Sequence, residues 1–121
     1  MNLYDLNVYK LSRELSKCAW SVYTTFDYNT KHIMGDQFIR SIDSITANIA
    51  EGFGRFHFLD RRKFYYNARG SLLEAITWLD LLYERNLVDK DFYDKINLLL
   101  TDLQIRLNNF IQQTTNQNNQ C

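Results

Sequence analysis

"NIAEGFGRFHFLDRRKF", residues 48–64, is the stretch that decides how this 121-residue chain folds. Before it, Phe38, Ile42, Ile45 and Ile49 step by three and four, the mark of a helix with one apolar side. After it, Tyr65, Ala68, Leu72, Ala75, Leu79 and Leu82 form a longer stripe of the same period. Between the two stripes lie Gly52, Gly54 and a few residues more. A glycine just past a helix can take the left-handed conformation at no steric cost, so Gly54 is expected to end the helix. The chain would then turn over 55–58, and Asp60 would fall in the first turn of the next helix, where its charge favours the dipole. So short a connection makes the two helices antiparallel neighbours.

The pattern repeats on either side. Val8, Leu11, Leu15, Cys18 and Val22 make a first stripe, with Asp5 as its expected N-cap. Phe92, Ile96, Leu99, Leu103 and Phe110 make a fourth, capped by Asp89. Connections are expected near 28–35, 53–58 and 85–89, all short. The prediction is all-α: an antiparallel up-down-up-down four-helix bundle over 1–111. Residues 112–121, "QQTTNQNNQC", are polar, uncharged and without period, and read as a frayed or disordered tail.

Composition agrees. There is no proline and there are four glycines, so little interrupts long helices. Hydrophobic residues are 45% of the chain and aromatics 15%, enough for a real core. No apolar run exceeds three residues, which argues against a membrane span or a secretion signal. Cys18 and Cys121 form no ligand cluster, and a reducing cytoplasm fits them. Formal charge is zero, lower than a dedicated nucleic-acid-binding surface usually carries.

Catalytic and metal chemistry finds no footing. Di-iron bundles need Glu-x-x-His pairs, but Lys17, Gly54, Thr77 and Leu87 stand three residues after the four glutamates. His32 and His57 are not at metal-ligand spacing. Bundle ribonucleases carry an arginine a few residues before a histidine, and Arg55 is too near His57 for that. "EGFG" lacks the lysine and hydroxyl of a phosphate loop. The chain is expected to be neither an enzyme nor a cofactor or metal protein.

Two features remain. Around the central turn, Asn48 and Glu51 are polar beside an apolar stripe, placed to bond freed backbone groups or to hold Arg55. The segment reads either as a structural lock or as a contact site. Small residues recur on the flanking helices, and Gly70 costs about 1 kcal/mol against alanine inside a helix. A close approach of the second and third helices would offset that cost. The helices also carry apolar residues beyond one stripe: Trp20, Tyr23, Tyr66, Leu73, Ile76, Trp78, Leu98 and Ile105. A second apolar face implies an interface.

"SITANIAEGFGR" (44–55) followed by "ARGSLLE" (68–74) resembles the signature of the 23S rRNA intervening-sequence protein family. The shared positions include Gln37, Arg40, Ser44, Asn48, Glu51, Gly52, Gly54, Arg55, Gly70, Ser71 and Glu74. Thr46 stands where the family usually has proline, Ile39 where it has a first arginine, and His57 where a hydroxyl cap is usual. The resemblance implies a bacterial four-helix bundle assembled as a ring-like homopentamer. It also implies kinship with the accessory protein of diversity-generating retroelements, which binds nucleic acid and a reverse transcriptase.

The expected function follows from surface and resemblance together. Arg55, Arg61, Arg62, Lys63 and Arg69 face only Asp60 within fifteen residues, with Phe56, His57, Phe58 and Tyr66 among them as stacking groups. That pattern predicts a non-catalytic, oligomeric protein binding RNA, or single-stranded DNA, through a basic face on the third helix. The alternative is a scaffold or accessory subunit that docks a protein such as a reverse transcriptase, its aromatics at the centre of the contact.

Overall fold

A computed structural model describes the backbone of residues 1–120 and the side chains of 1–116. Among these residues there are four long helices and no strand: α1 (Asn7–Tyr23), α2 (Asp36–Phe53), α3 (Phe58–Glu84) and α4 (Lys90–Gln120). The chain is all-α, as the apolar periods predict.

α1 packs on α2 and α4, and α3 packs on the same two helices from the other side, which closes a ring of four. Ser16 meets Thr46 at 3.3 Å, and the Tyr23 hydroxyl donates to Asp36. Ser44 meets Ser71 at 2.9 Å, while Gly52 lies against Tyr65. Asp80 accepts from the Tyr93 hydroxyl at 2.9 Å, and the Tyr65 and Phe110 rings lie 4.8 Å apart. In every such pair the residue number rises on one helix as it falls on the other.

The core lies along the middle of this ring. The whole α3 stripe from Tyr65 to Leu82 is buried, as expected, and so are Phe38, Ile42, Ile45 and Ile49 of α2. In α4 the buried line is Ile96, Leu100, Leu103, Leu107 and Ile111, with Phe92, Leu99 and Phe110 only partly buried. The register differs from the expected stripe because Leu98, Leu99 and Leu100 are equally apolar, so hydropathy alone cannot choose among them. Ser12 and Ser41 are buried too. Each donates its hydroxyl to a carbonyl of its own helix, Tyr9 and Phe38, and so leaves nothing unpaired.

Helix ends hold most of the differences from expectation. Asp89 caps α4, its carboxylate accepting from the Phe92 backbone at 2.8 Å. Asp5 does not cap α1. It sits in a 3-10 turn, Leu3–Asp5, and accepts from the Asn2 backbone, while α1 starts from Leu6 without a side-chain cap. Residues 28–35 are not a loop but a helical turn, Tyr28–Thr30, and a π turn, Lys31–Gly35, that run into α2. Asp27 starts this segment by accepting from the Thr30 backbone at 2.8 Å, which holds its carboxyl below the usual range. Gly54 follows α2 at φ −78°, so no left-handed cap forms there. That conformation falls instead to Asn86, at φ 59°, after α3. The Asn86 backbone donates to Tyr83 and that of Leu87 to Leu82, the paired bonds that close a helix end. Over 112–120 the backbone continues α4 as helix. No proline or glycine stops it, and Thr114 and Thr115 turn their hydroxyls back onto the Phe110 and Ile111 carbonyls. Cys121 lies outside the described residues.

Candidate nucleic-acid interface

The five cations of 55–69 do not form one surface. Arg62 and Arg69 are two turns apart on α3, exposed, and share a face. The Arg62 guanidinium lies over the Tyr66 ring, 5.5 Å from its centre. Arg55 is paired with Glu51 and covers the Phe64 ring at 4.8 Å, and Lys63 approaches the same ring at 5.8 Å. Among the described residues no ion pair engages Arg62, Lys63 or Arg69. Their charge is unspent and faces water. Phe56 is 88% exposed, with His57 edge-on to it at 5.3 Å. Exposed rings beside unpaired cations are what single-stranded nucleic acid stacks on and pairs with.

Arg61 leaves this group. It stands one helical turn before Tyr65, on the side of α3 that faces the core, and is only partly exposed. Its Nε is sealed from solvent with no acceptor. The guanidinium borders a cavity of about 580 Å³ at the end of the bundle, together with Arg106, Asn109 and Gln113 of α4. Burial pushes the Tyr65 phenol up, and the nearby Arg61 charge pulls it the other way. No local pattern points to Arg106, Asn109 or Gln113, because they come from the far end of the chain.

The lock residues divide as well. Asn48 donates to the Ser44 carbonyl at 2.8 Å and to its hydroxyl at 3.0 Å, and Ser44 meets Ser71 across the α2–α3 contact. This three-residue polar chain ties the two helices. Glu51 holds Arg55, and Glu74 accepts from the Trp78 indole. The close approach falls at Gly52: an added Cβ would lie 2.6 Å from the Tyr65 ring. Gly54 meets nothing closer than 3.6 Å, and Gly70, exposed on the outside of α3, meets nothing within 4 Å. The cost of Gly70 is therefore not offset by contact with α2, contrary to expectation.

Among the described residues no group of three or more acidic, histidine or cysteine side chains is placed to hold a metal ion, and no helix is long and apolar enough to cross a membrane. The features taken together define an all-helical, four-helix protein whose concentrated feature is a cationic, aromatic helix start.

The chain belongs to the 23S rRNA-intervening sequence protein family, whose model matches residues 4–109. It is also similar to the crystal structure of a protein of unknown function from the S23 ribosomal protein family of Bacteroides thetaiotaomicron VPI-5482. The two are 26% identical, over 87% of this chain and 95% of that one, with a TM-score of 0.81. No curated protein matches the chain.

Proposed function

We propose that this protein is a non-catalytic, homo-oligomeric bundle of antiparallel up-down-up-down helices that binds nucleic acid, RNA first, through the outer face of α3. The observation that carries the reading is the Arg62–Arg69 face: two exposed cations without acidic partners, one of them over the exposed Tyr66 ring. Lys63, and Arg55 where Glu51 releases it, extend that surface. A salt titration of RNA and single-stranded DNA binding tests it. Counterion release requires affinity to fall steeply with salt. Arg62→Ala/Arg69→Ala should weaken binding to all sequences and reduce the salt slope by about one to two units. No binding by the wild type at low salt, or equal binding by the double variant, would refute it.

Assembly of identical copies is part of the same proposal. Leu98 (71% exposed) and Ile105 (57% exposed) lie outward on α4, two turns apart and away from the Arg62–Arg69 face. A second copy covering this row removes both residues from water. Family resemblance supplies the number five. Light scattering at micromolar concentration that gives the 14.5 kDa of one chain would refute assembly. A cytoplasmic location is part of the same proposal, and the free thiol of Cys18 suits it.

A second reading rests on Trp20, 54% exposed, stacked on Tyr23 at 5.2 Å and beside a shallow groove with Arg13, Lys17 and Asp43. An aromatic anchor ringed by charge suits a protein partner such as a reverse transcriptase. Trp20→Ala should then abolish that docking and leave RNA affinity unchanged. If it lowers neither, the scaffold reading fails.

A further inference from the structure

We propose that the cavity at the end of the bundle is a binding site for a small aromatic anion, with Arg61 as its counter-ion. The cavity, about 580 Å³, lies between the start of α1, the end of α2, the first turns of α3 and residues 106–114 of α4. That is within the range of sites that enclose small molecules. Its walls are of two kinds. Phe53, Tyr65 and Phe110 present flat apolar surface, with the last two rings edge to face at 4.8 Å. Arg61, Arg106 and the side-chain amides of Asn109 and Gln113 present cations and hydrogen-bond donors.

The Arg61 guanidinium is the unbalanced group. Its Nε has neither solvent nor acceptor, and no hydrogen bond or ion pair engages its terminal nitrogens among the described residues. A partly desolvated cation without a partner is costly, and an anion beside it restores the lost interaction. The other charged side chains on the lining, one cation and one acid, are both already engaged. Arg106 is held at the rim by Asp102. Asp5, the acid on the lining, is engaged with the Asn2 backbone, and α1 starts beside the cavity at its uncapped, positive end. An unpartnered cation beside flat rings selects an acid head on a flat body over a neutral or a cationic ligand. This site is separate from the Arg62–Arg69 face, because Arg61 points to the core side of α3 and those two point outward.

Calorimetric titration of the intact chain with phenyl phosphate, benzoate and phenol tests the proposal. Saturable binding of phenyl phosphate or benzoate, one per chain, and none of phenol is the expected result, and the better of the two assigns the head group. Arg61→Gln should weaken that binding about tenfold or more, as loss of a charged hydrogen bond implies. Asn109→Glu, which brings a negative charge to the rim without touching Arg61, should do the same. Circular dichroism of both variants establishes that they are folded. Arg62→Ala/Arg69→Ala should bind the small anion like wild type, even if RNA binding is lost or was never present. Equal binding of phenol, no binding of either acid, or unchanged affinity in Arg61→Gln overturns the site. So does loss of binding in the outer-face variant alone, because the anion would then be reading that face.

Discussion

Gly52→Ala is the substitution on which the packing argument is most exposed. The added methyl would stand 2.6 Å and 2.9 Å from two carbons of the Tyr65 ring and 3.1 Å from the Phe64 Cβ. Carbon atoms pack at about 3.5–4.0 Å, so α2 and α3 must part by about 1 Å or Tyr65 must turn. Tyr65 is not free to turn: it is 2% exposed, and the Phe110 ring is set against it. Overpacking of this kind costs about 1–3 kcal/mol. Alanine returns about 1 kcal/mol through its better helix propensity. The balance is a loss of about 0–2 kcal/mol, and the 2.6 Å approach to a buried ring sets it toward the upper end, several degrees of melting temperature for a domain of this size. Gly54→Ala is the control. It has no contact under 3.6 Å and φ −78°, and it should be neutral or gain a few tenths of a kcal/mol. Urea unfolding followed by circular dichroism, at matched protein concentration, measures both. A Gly52→Ala variant as stable as wild type would refute the claim that this glycine sets the α2–α3 spacing.

Gly70→Ala should stabilise the dissociated chain by about 1 kcal/mol, because its Cβ meets nothing. A urea midpoint no higher than that of the wild type would refute this reading of Gly70. Asn48→Leu should cost about 1 kcal/mol, since it deletes two bonds to Ser44 but leaves Ser44 and Ser71 to pair; an unchanged urea midpoint would remove the polar chain from the account. The Tyr23 and Tyr93 phenols, bonded to Asp36 and Asp80, are raised above the ordinary value. Their contribution is complete below the ordinary tyrosine range and is lost as pH rises through their own ionisation. An ultraviolet titration should therefore find a late-ionising class of tyrosine that Tyr23→Phe and Tyr93→Phe shrink.

The helices were legible because each carries a long stripe of one period, and α3 was read residue for residue from Tyr65 to Leu82. What failed was local. The left-handed cap was assigned to Gly54 because glycine is its usual occupant, yet Asn86 holds it, and asparagine is the other residue that tolerates that conformation. The reason for the small residues was right for Gly52 and wrong for Gly70. Sequence spacing shows that both are small, and only the third dimension shows which one has a ring beside it. The cationic run was legible as charge but not as geometry. Arg61 and Arg62 are adjacent in sequence and about a quarter-turn apart on the helix, enough to send one toward the core and the other to water. Arg106, Asn109 and Gln113 share a cavity with Arg61 only because α4 packs against α3, and no local pattern announces that.

The placement of charge along α3 bears on function independently of any single contact. Helix dipoles favour acids at the start and bases at the end. α3 carries Arg61, Arg62 and Lys63 soon after its start and Asp80 and Glu84 in its last turns, with Asp60 alone in the favourable sense. Each unfavourable charge costs up to about 0.3–1 kcal/mol at low ionic strength, less where water screens it. The helix is held by its buried stripe and tolerates this arrangement; the arrangement does not hold the helix. A neutral chain could have scattered its cations, or set them where the dipole helps. Here they are gathered at the positive end of the longest core-lining stripe, beside exposed rings and away from acidic partners. A positive helix end with added cations concentrates positive potential, and the ligand that most lowers such a potential is a polyanion. A net charge of zero for the whole chain does not remove this local excess, since six of the fourteen acids, Glu74, Asp80, Glu84, Asp89, Asp91 and Asp94, lie toward the other end of α3 and at the start of α4.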